Sequence, residues 1–402
     1  MRTMNVLISG ASVGGPALAY WLRRYGIGVT VVERAPGLRP GGQAIDVRGP
    51  ALGVVERMGV LDRIRARCTD LRGMSVVDDD GVELFRTTER TMSGGEIDSP
   101  DVEILRDDLA EILFEASRGE GVEYLFGDSV AELEQDADGV RVRFQSGARR
   151  TFDLVVGADG VHSGTRRMVF GTDEECYRHL GSYLGVWTVP NHLGLDRWQV
   201  VYRTRGNVWG GMAMSVRDNK EVRVYVGIDA DVPPAEFLPR SVEEQKRLVV
   251  RAHADARWEM PRLLEGVWDA PDFHFDSVSQ IHLDSWSRGR VVLLGDAGYC
   301  GSPASGQGTT MALIGAYVLA GELAAAGGDH RAAFLGYERA LREYVTASQE
   351  IAHIGMARLR TELEADLGDP EAAARLAEDP ADAFKKIGAI RFRDYATPTG
   401  LL

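Results

Sequence analysis

Val6-Leu7-Ile8-Ser9-Gly10-Ala11-Ser12-Val13-Gly14-Gly15 carries an apolar run straight into a glycine-rich turn. The run is that of a buried strand, and Ala17, Leu18, Trp21 and Leu22 recur behind the glycines at helical spacing. Pro16 falls in the first helical turn, where its missing N–H costs little. A second strand, Val29-Thr30-Val31-Val32, ends at Glu33, twenty-three residues past Gly10. A dinucleotide fold puts there the acid that binds a ribose hydroxyl. Ser12 stands where the second glycine of the fingerprint is usual; it adds only a hydroxymethyl group, a tolerable variation.

Two more glycine turns lie far along the chain. Gly157-Ala158-Asp159-Gly160 follows the apolar run Leu154-Val155-Val156, and Gly295-Asp296-Ala297 follows Val291-Val292-Leu293-Leu294 and leads into Pro303-Ala304-Ser305-Gly306-Gln307-Gly308. Glycine lets backbone N–H groups approach a phosphate closely. Three such turns at strand ends therefore suit one nucleotide ligand.

The chain has 402 residues, room for two or three domains, and its 44% hydrophobic content suffices for a sizeable core. A net charge of −14 argues against general nucleic-acid or acidic-membrane binding. Cys68, Cys176 and Cys300 form no metal or redox spacing and read as reduced thiols of a cytoplasmic protein. The glycines between Val6 and Leu22 are phased for strand–turn–helix and not for a signal peptide, and no run reaches the ~18 apolar residues of a membrane span.

Residues 71–100 alternate around Asp78-Asp79-Asp80-Gly81, a hairpin signal, and Ile104-Leu105-Arg106 opens a helix carrying Leu109, Ile112 and Leu113. Strands are expected near Glu123–Phe126 and Val140–Phe144, and again at Tyr183–Val189, Trp198–Arg203, Val208–Met214 and Val222–Ile228. From Gly308 onward the pattern is helical. The fold class is α/β (α+β overall): a Rossmann-like nucleotide domain from 1–70, 101–176 and 285–335, an inserted β-sheet domain from 71–100 and 177–284, and C-terminal helices over 336–402.

This combination resembles the group A flavoprotein monooxygenases of the p-hydroxybenzoate hydroxylase fold, and is similar to their tetracycline-inactivating and polyketide-tailoring members. The resemblance implies FAD held by Gly10, Ser12, Val13, Gly14 and Gly15, with Glu33 on the adenosine ribose and Arg34 beside it. Arg106 corresponds to an arginine on the flavin's ribityl or phosphate portion. Asp46 and Arg48 fall where relatives have polar contacts near the isoalloxazine. Asp159 and Gly160 form the turn near the pyrophosphate, with the Asp holding the loop through backbone N–H groups, and Arg166 would add charge facing the nucleotide. Asp296 would accept from a ribityl hydroxyl. Gly306, Gln307, Gly308 and Thr309 would open a helix toward the flavin pyrimidine, where its N-terminus favours the charge of reduced flavin.

The resemblance further implies reduction by NADPH or NADH, bound without a second fingerprint, and insertion of one oxygen atom from O2 through a flavin C4a-hydroperoxide into an aromatic or polyketide-like molecule. No catalytic side chain and no metal is implied, Gly301-Ser302-Pro303-Ala304-Ser305-Gly306 carrying a Gly-x-Ser-x-Gly pattern only in broken form, and His162 is given no chemistry. The expected partners are the substrate and O2 alone, with no nucleic acid or membrane, in a monomer or homodimer. Three positions depart from the family: Tyr299 replaces a histidine, Thr309-Thr310 an asparagine, and Gly315 an acid. The substrate is expected between the flavin and the inserted sheet, beside Trp209, Met212 or Met214; the two methionines share one strand face and Trp209 takes the other. A flavin oxidoreductase without hydroxylation and a non-catalytic flavin-binding protein remain open alternatives.

Overall fold

The structure is a computed structural model that describes residues 4–92, 95–204, 210–238, 241–365, 387, 388 and 390–395. Its first layer is a six-stranded sheet in the order Ser287–Arg288, Val291–Leu293, Leu154–Gly157, Asn5–Ser9, Gly28–Glu33, Val122–Phe126. All neighbours run parallel except the short edge strand Ser287–Arg288. Strand alternation divides the sheet's side chains between two cores. Val6, Ile8, Val29, Val31, Leu154, Val156 and Val292 pack with residues of the helices Gly14–Arg24, Arg106–Ser117 and Gly308–Ala325. Leu7, Val155 and Val291 face the other way, onto Val140, Val142, Phe144 and Phe152. These four belong to an antiparallel meander, Val130–Gln135, Val140–Phe144 and Arg149–Phe152. Burial on both faces is why the central strands read as unbroken apolar runs.

The second layer is a seven-stranded sheet, ordered His274–Ile281, Tyr177–Pro190, Glu221–Asp229, Gly211–Val216, Gln199–Tyr202, Met74–Val77, Glu83–Thr87. The 74–87 hairpin joins it through a parallel pairing of Met74–Val77 with Gln199–Tyr202. Its outer face, with Tyr183, Trp187, Ala213, Val222, Val224 and Val226, packs against Val249, Met260, Leu263 and Leu264 of the helices Val242–Ala252 and Met260–Glu265. The inner face carries Leu184, Val186, Val201, Met212, Met214 and Tyr225, clustered with Ala44 and Leu105. Ala44 and Leu105 come from a two-stranded ribbon, Ala44–Val47 antiparallel to Val102–Leu105, that separates the two large sheets.

That ribbon corrects one expectation: Ile104 and Leu105 end a strand, and the helix begins at Arg106. The strand expected over Val208–Met214 is Gly211–Val216, and Trp209 lies outside the described residues. Met212 and Met214 do share a face, and it is the inner one. The helix Gly308–Ala325 is apolar and long enough to cross a membrane, yet most of it is buried against Gly14–Arg24 and His330–Ala365.

Candidate active site

The three glycine turns meet. Ser9 accepts from the Ala158 amide at 2.8 Å, and Leu294 N–H donates to Gly157 at 2.8 Å, so the strand ends preceding all three turns lie side by side. Gly10 adopts φ +111, and a side chain on it would collide with the Ala158 carbonyl. A Cβ on Gly14 would sit 3.4 Å from Leu294 and 3.7 Å from Ala312, at the third segment. Gly15 is required for another reason: a Cβ there would overlap the Gly10 carbonyl, which closes the turn onto the first helix.

Two long helices open toward this junction without side-chain caps. Gly14–Arg24 starts after Val13 and Gly308–Ala325 after Gln307; neither has a capping hydrogen bond or an acid in its first turn. Their leading N–H groups and dipoles are what an anionic phosphate and a reduced flavin ring require. The residues present thus fit FAD along an extended track. At one end the Glu33 carboxylate accepts from Ala11 N–H and Ala35 N–H, both at 3.0 Å, while the neighbouring Arg34 is exposed. Next comes Arg106, which donates to Ser12 Oγ at 3.4 Å and to the carbonyls of Arg39 and Gly41. Burial, reinforced by Arg39, lowers its pKa to about 10, so it stays cationic at neutral pH. Gly42, at φ +105, leaves the space its guanidinium occupies.

At the other end, Asp296 opens the short helix Asp296–Tyr299, its Oδ1 3.7 Å from the place a Gly308 Cβ would take. Burial raises its pKa. Gly306, left-handed at φ +60, faces Arg48: a Cβ there would be 3.4 Å from Nη1 and 4.0 Å from Asp46 Oδ2. Arg48 and Asp46 pair at 3.0 Å. Thr310, one of the departing residues, accepts from Arg48 N–H at 3.2 Å and donates to the Asp46 carbonyl at 3.4 Å, tying the ribbon to the helix start. Thr309 beside it is half-buried, and the Gln307 amide turns inward to accept from Tyr344 at 3.1 Å. Gln307 therefore braces the loop through its side chain.

The middle turn is held mainly by its own residues, with Ser9 Oγ also donating to Asp159 at 3.5 Å. Asp159 accepts from Ser163 Oγ, from Thr165 N–H at 3.0 Å and from Thr165 Oγ1 at 2.9 Å, while Gly160 takes φ +80. Arg166, expected to face the nucleotide, is instead 0% exposed. Its guanidinium donates to Ala297 at 3.0 Å and to Val161 at 2.7 Å and pairs with Asp173 at 2.6 Å. The arginine staples the second turn to the third from behind. His162 reaches outward to Asp276 at 2.7 Å.

Two departures from the family explain each other. Tyr299 is buried, its ring 4.5 Å from Trp286, and its hydroxyl lies where a Gly315 Cβ would be. Tyr337 donates to the Leu293 carbonyl at 3.1 Å, so the 2.7 Å contact between the two phenols has Tyr299 as donor. Burial pushes the Tyr299 phenol up to about 12.

Polar groups not singled out from the sequence also face this region. Arg223 and Asp272 form a buried pair, and Asp272 also accepts from Thr188 N–H at 3.1 Å. Asp272 abuts Gly41, whose Cβ would overlap it. The signal was available: Val222, Val224 and Val226 alternate with Arg223 and Tyr225, which places an arginine on the inner face. Tyr225 accepts from Ala44 N–H at 2.8 Å, joining that face to the ribbon.

Comparison with known proteins agrees with this geometry. Residues 3–348 match the family model described as FAD binding domain. An uncharacterized protein of Mycobacterium tuberculosis strain H37Rv is 51% identical over 345 residues, covering 86% of this chain and 91% of its own. A flavin-dependent monooxygenase of Legionella longbeachae is 38% identical over 358 residues, covering 87% and 88%. The crystal structure of tetracycline destructase Tet(51) superposes with a TM-score of 0.83 at 33% identity, covering 98% of this chain and all of the other. Matched over most of its length in sequence and fold, and presenting an uncapped, glycine-lined track for FAD, the chain belongs to the FAD-binding-domain family and is an FAD-dependent monooxygenase.

Proposed function

We propose that the chain consumes NADH or NADPH and inserts one oxygen atom of O2 into an aromatic or polyketide-like molecule lying between the flavin and the inner face of the seven-stranded sheet. The observation carrying this reading is that inner face: Val201, Met212, Met214 and Tyr225 form a buried apolar, polarisable cluster with Ala44 and Leu105 of the ribbon that carries Asp46. Such a surface suits a planar ring system. Similarity to tetracycline destructases supports a polycyclic, oxygenated substrate class.

When bound, FAD would supply the redox chemistry and the electrophilic oxygen of this reaction. The protein's part is to bind, orient and exclude water. Glu33 and Arg106 would hold the nucleotide end and Asp296 the ribityl chain, and the N-terminus of Gly308–Ala325 would balance negative charge on a reduced ring. No side chain needs to act as a nucleophile.

The test is incubation with FAD, NADH or NADPH and a panel of tetracyclines and hydroxylated polycyclic aromatics under labelled O2. A product gaining one labelled oxygen atom is expected. Nicotinamide oxidation yielding only hydrogen peroxide across the panel, with no ligand accelerating flavin reduction, would argue against hydroxylation of this class.

A further inference from the structure

The loop that leads into the helix Gly308–Ala325 is folded on itself. Ser302 takes φ +71 and its Oγ accepts from Ala304 N–H at 3.2 Å, while Ser305 Oγ donates to the Ser302 carbonyl at 2.8 Å and accepts from Gln307 N–H at 3.2 Å. These bonds shape the turn but do not fix where it lies. Apart from the ladder of the helix itself, one hydrogen bond among the described residues reaches Pro303–Gly308 from another part of the chain: Tyr344 donates to Gln307 Oε1 at 3.1 Å.

Tyr344 belongs to the long helix His330–Ala365, which supports this edge of the nucleotide domain at three points. Tyr337 donates to the Leu293 carbonyl at 3.1 Å, Gln349 to the Cys300 carbonyl at 3.2 Å, and Tyr344 to Gln307. The first two hold the strand end and the beginning of the third glycine turn. The last holds the place where the loop becomes a helix.

That bond is fixed from both sides. Tyr344 is 1% and Gln307 2% exposed, and Phe392 meets the Tyr344 ring edge-on at 5.6 Å. Burial, with Asp101 adding to the rise and Arg48 opposing it, pushes the Tyr344 phenol above its ordinary range, so it remains a donor. With Gln307 as its one hydrogen-bond partner among the described residues, the buried hydroxyl has no other place for its proton. Gln307 also stands at the N-cap of Gly308–Ala325, and its carbonyl accepts from Met311 N–H at 2.8 Å. A cap residue ordinarily spends its side chain on the first N–H groups of its helix. Here the side chain is committed sideways to Tyr344, and those N–H groups are left without a capping side chain.

We propose that Tyr344 is a positioning residue for the reduced flavin. By holding Gln307 it keeps the uncapped start of Gly308–Ala325 in one place, where its N–H groups would meet negative charge at the pyrimidine end of reduced FAD. The neutral ring of oxidised FAD gains less from them. Donors held in place beforehand stabilise a charge without the cost of ordering them when it appears. Tyr344 therefore tilts the equilibrium of the bound cofactor toward its reduced form. The proposal rests on the placement of the flavin pyrimidine at this helix start.

The test poises FAD-loaded wild type, Tyr344→Phe, Gln307→Leu, the double variant and Thr309→Asp against a redox dye without oxygen and reads the midpoint potential of the bound flavin. Dissociation of oxidised FAD is followed by flavin fluorescence and stability by thermal melts. Tyr344→Phe is expected to weaken the hold on reduced FAD about three- to tenfold more than on oxidised FAD, the range one neutral hydrogen bond controls. At ~30 mV per tenfold for two electrons, the midpoint potential should fall by ~15–30 mV. Gln307→Leu should do the same, and the double variant should go no further than either single change, because all three remove one bond. A Tyr344→Phe protein that releases both forms of FAD equally more readily, or only melts earlier, keeps its potential and overturns the assignment. Additive shifts in the double variant overturn it as well. Thr309→Asp separates the proposal from the placement beneath it, since a carboxylate at the helix start should lower the potential whether or not Tyr344 positions the loop. If Thr309→Asp shifts the potential and Tyr344→Phe does not, the placement stands and the positioning role falls. A potential unmoved by Thr309→Asp overturns the placement, and the proposal with it.

Discussion

Replacing Gly315 by alanine inside the helix Gly308–Ala325 tests whether Tyr299 and Gly315 form one steric unit. On helix propensity alone the change should stabilise by about 1 kcal/mol. The added methyl, however, would overlap the Tyr299 hydroxyl and approach Leu294 Cδ1 to 2.9 Å. Overpacking of this kind costs ~1–3 kcal/mol, so after the propensity gain a net loss of up to ~2 kcal/mol is expected. Tyr299→Phe removes a hydroxyl that donates to Tyr337 but orphans no donor, because Tyr337 still donates to Leu293. That single change should cost about 1 kcal/mol. In the double variant the methyl enters the space the hydroxyl has left, and the pair should cost about as much as Tyr299→Phe alone, a coupling of up to ~2 kcal/mol. Guanidinium unfolding followed by tryptophan fluorescence reads it, with Trp286 tilted against Tyr299. Strict additivity, or a Gly315→Ala protein more stable than wild type, would refute the steric account.

Arg166→Met should lower stability by about 3–5 kcal/mol, because it strands Asp173 and removes donors from Ala297 and Val161, while the folded protein keeps its FAD affinity; thermal melts and flavin titration check this, and selective loss of FAD would restore a nucleotide-facing role. Glu33→Gln should weaken FAD binding about tenfold, since charge-assisted bonds contribute ~1.5–3 kcal/mol each, and an unchanged dissociation constant by flavin fluorescence would contradict the ribose assignment. Burial gives Asp46 a folded pKa of about 7, above its ordinary 3.8, so the native state holds a proton that the unfolded chain has lost. Its contribution to stability is therefore present at low pH, declines as pH rises through that window, and is gone above about 7. Asp46→Asn should gain on wild type by a few kcal/mol at most, on the order of the pKa shift, between mildly acid and mildly alkaline pH. A difference between the two melting profiles that stays flat with pH would refute it.

The first strand–turn–helix was legible because its signals are local. Gly15 is demanded by a contact within the turn, and strand and helix periods are set by backbone geometry, so residues 5–33 could be read from spacing alone, although the steric demand on Gly10 comes from Ala158. The same holds for most bonds to Asp159, which come from Ser163 and Thr165, four to six residues away. Ile104 and Leu105 were misread as a helix start because four apolar and polar residues before a helix carry no distinguishing period, and their strand exists only through pairing with Ala44–Val47.

Arg166 shows the limit more sharply. A positive residue after a nucleotide turn looks the same in sequence whether it meets a phosphate or a carbonyl; its partner Ala297 lies 131 residues away, and folding decides the matter by bringing the third turn behind the second. The match of Tyr299 to Gly315, the Arg223–Asp272 pair and the face shared by Asp46 and Glu103 are of the same kind. Residue identity and spacing determined which ligand this chain binds, since phosphate recognition uses backbone N–H groups in short turns. Tertiary structure alone decided which charges line the glycine-rich track and which brace it, because burial and pairing depend on neighbours that the chain order does not contain.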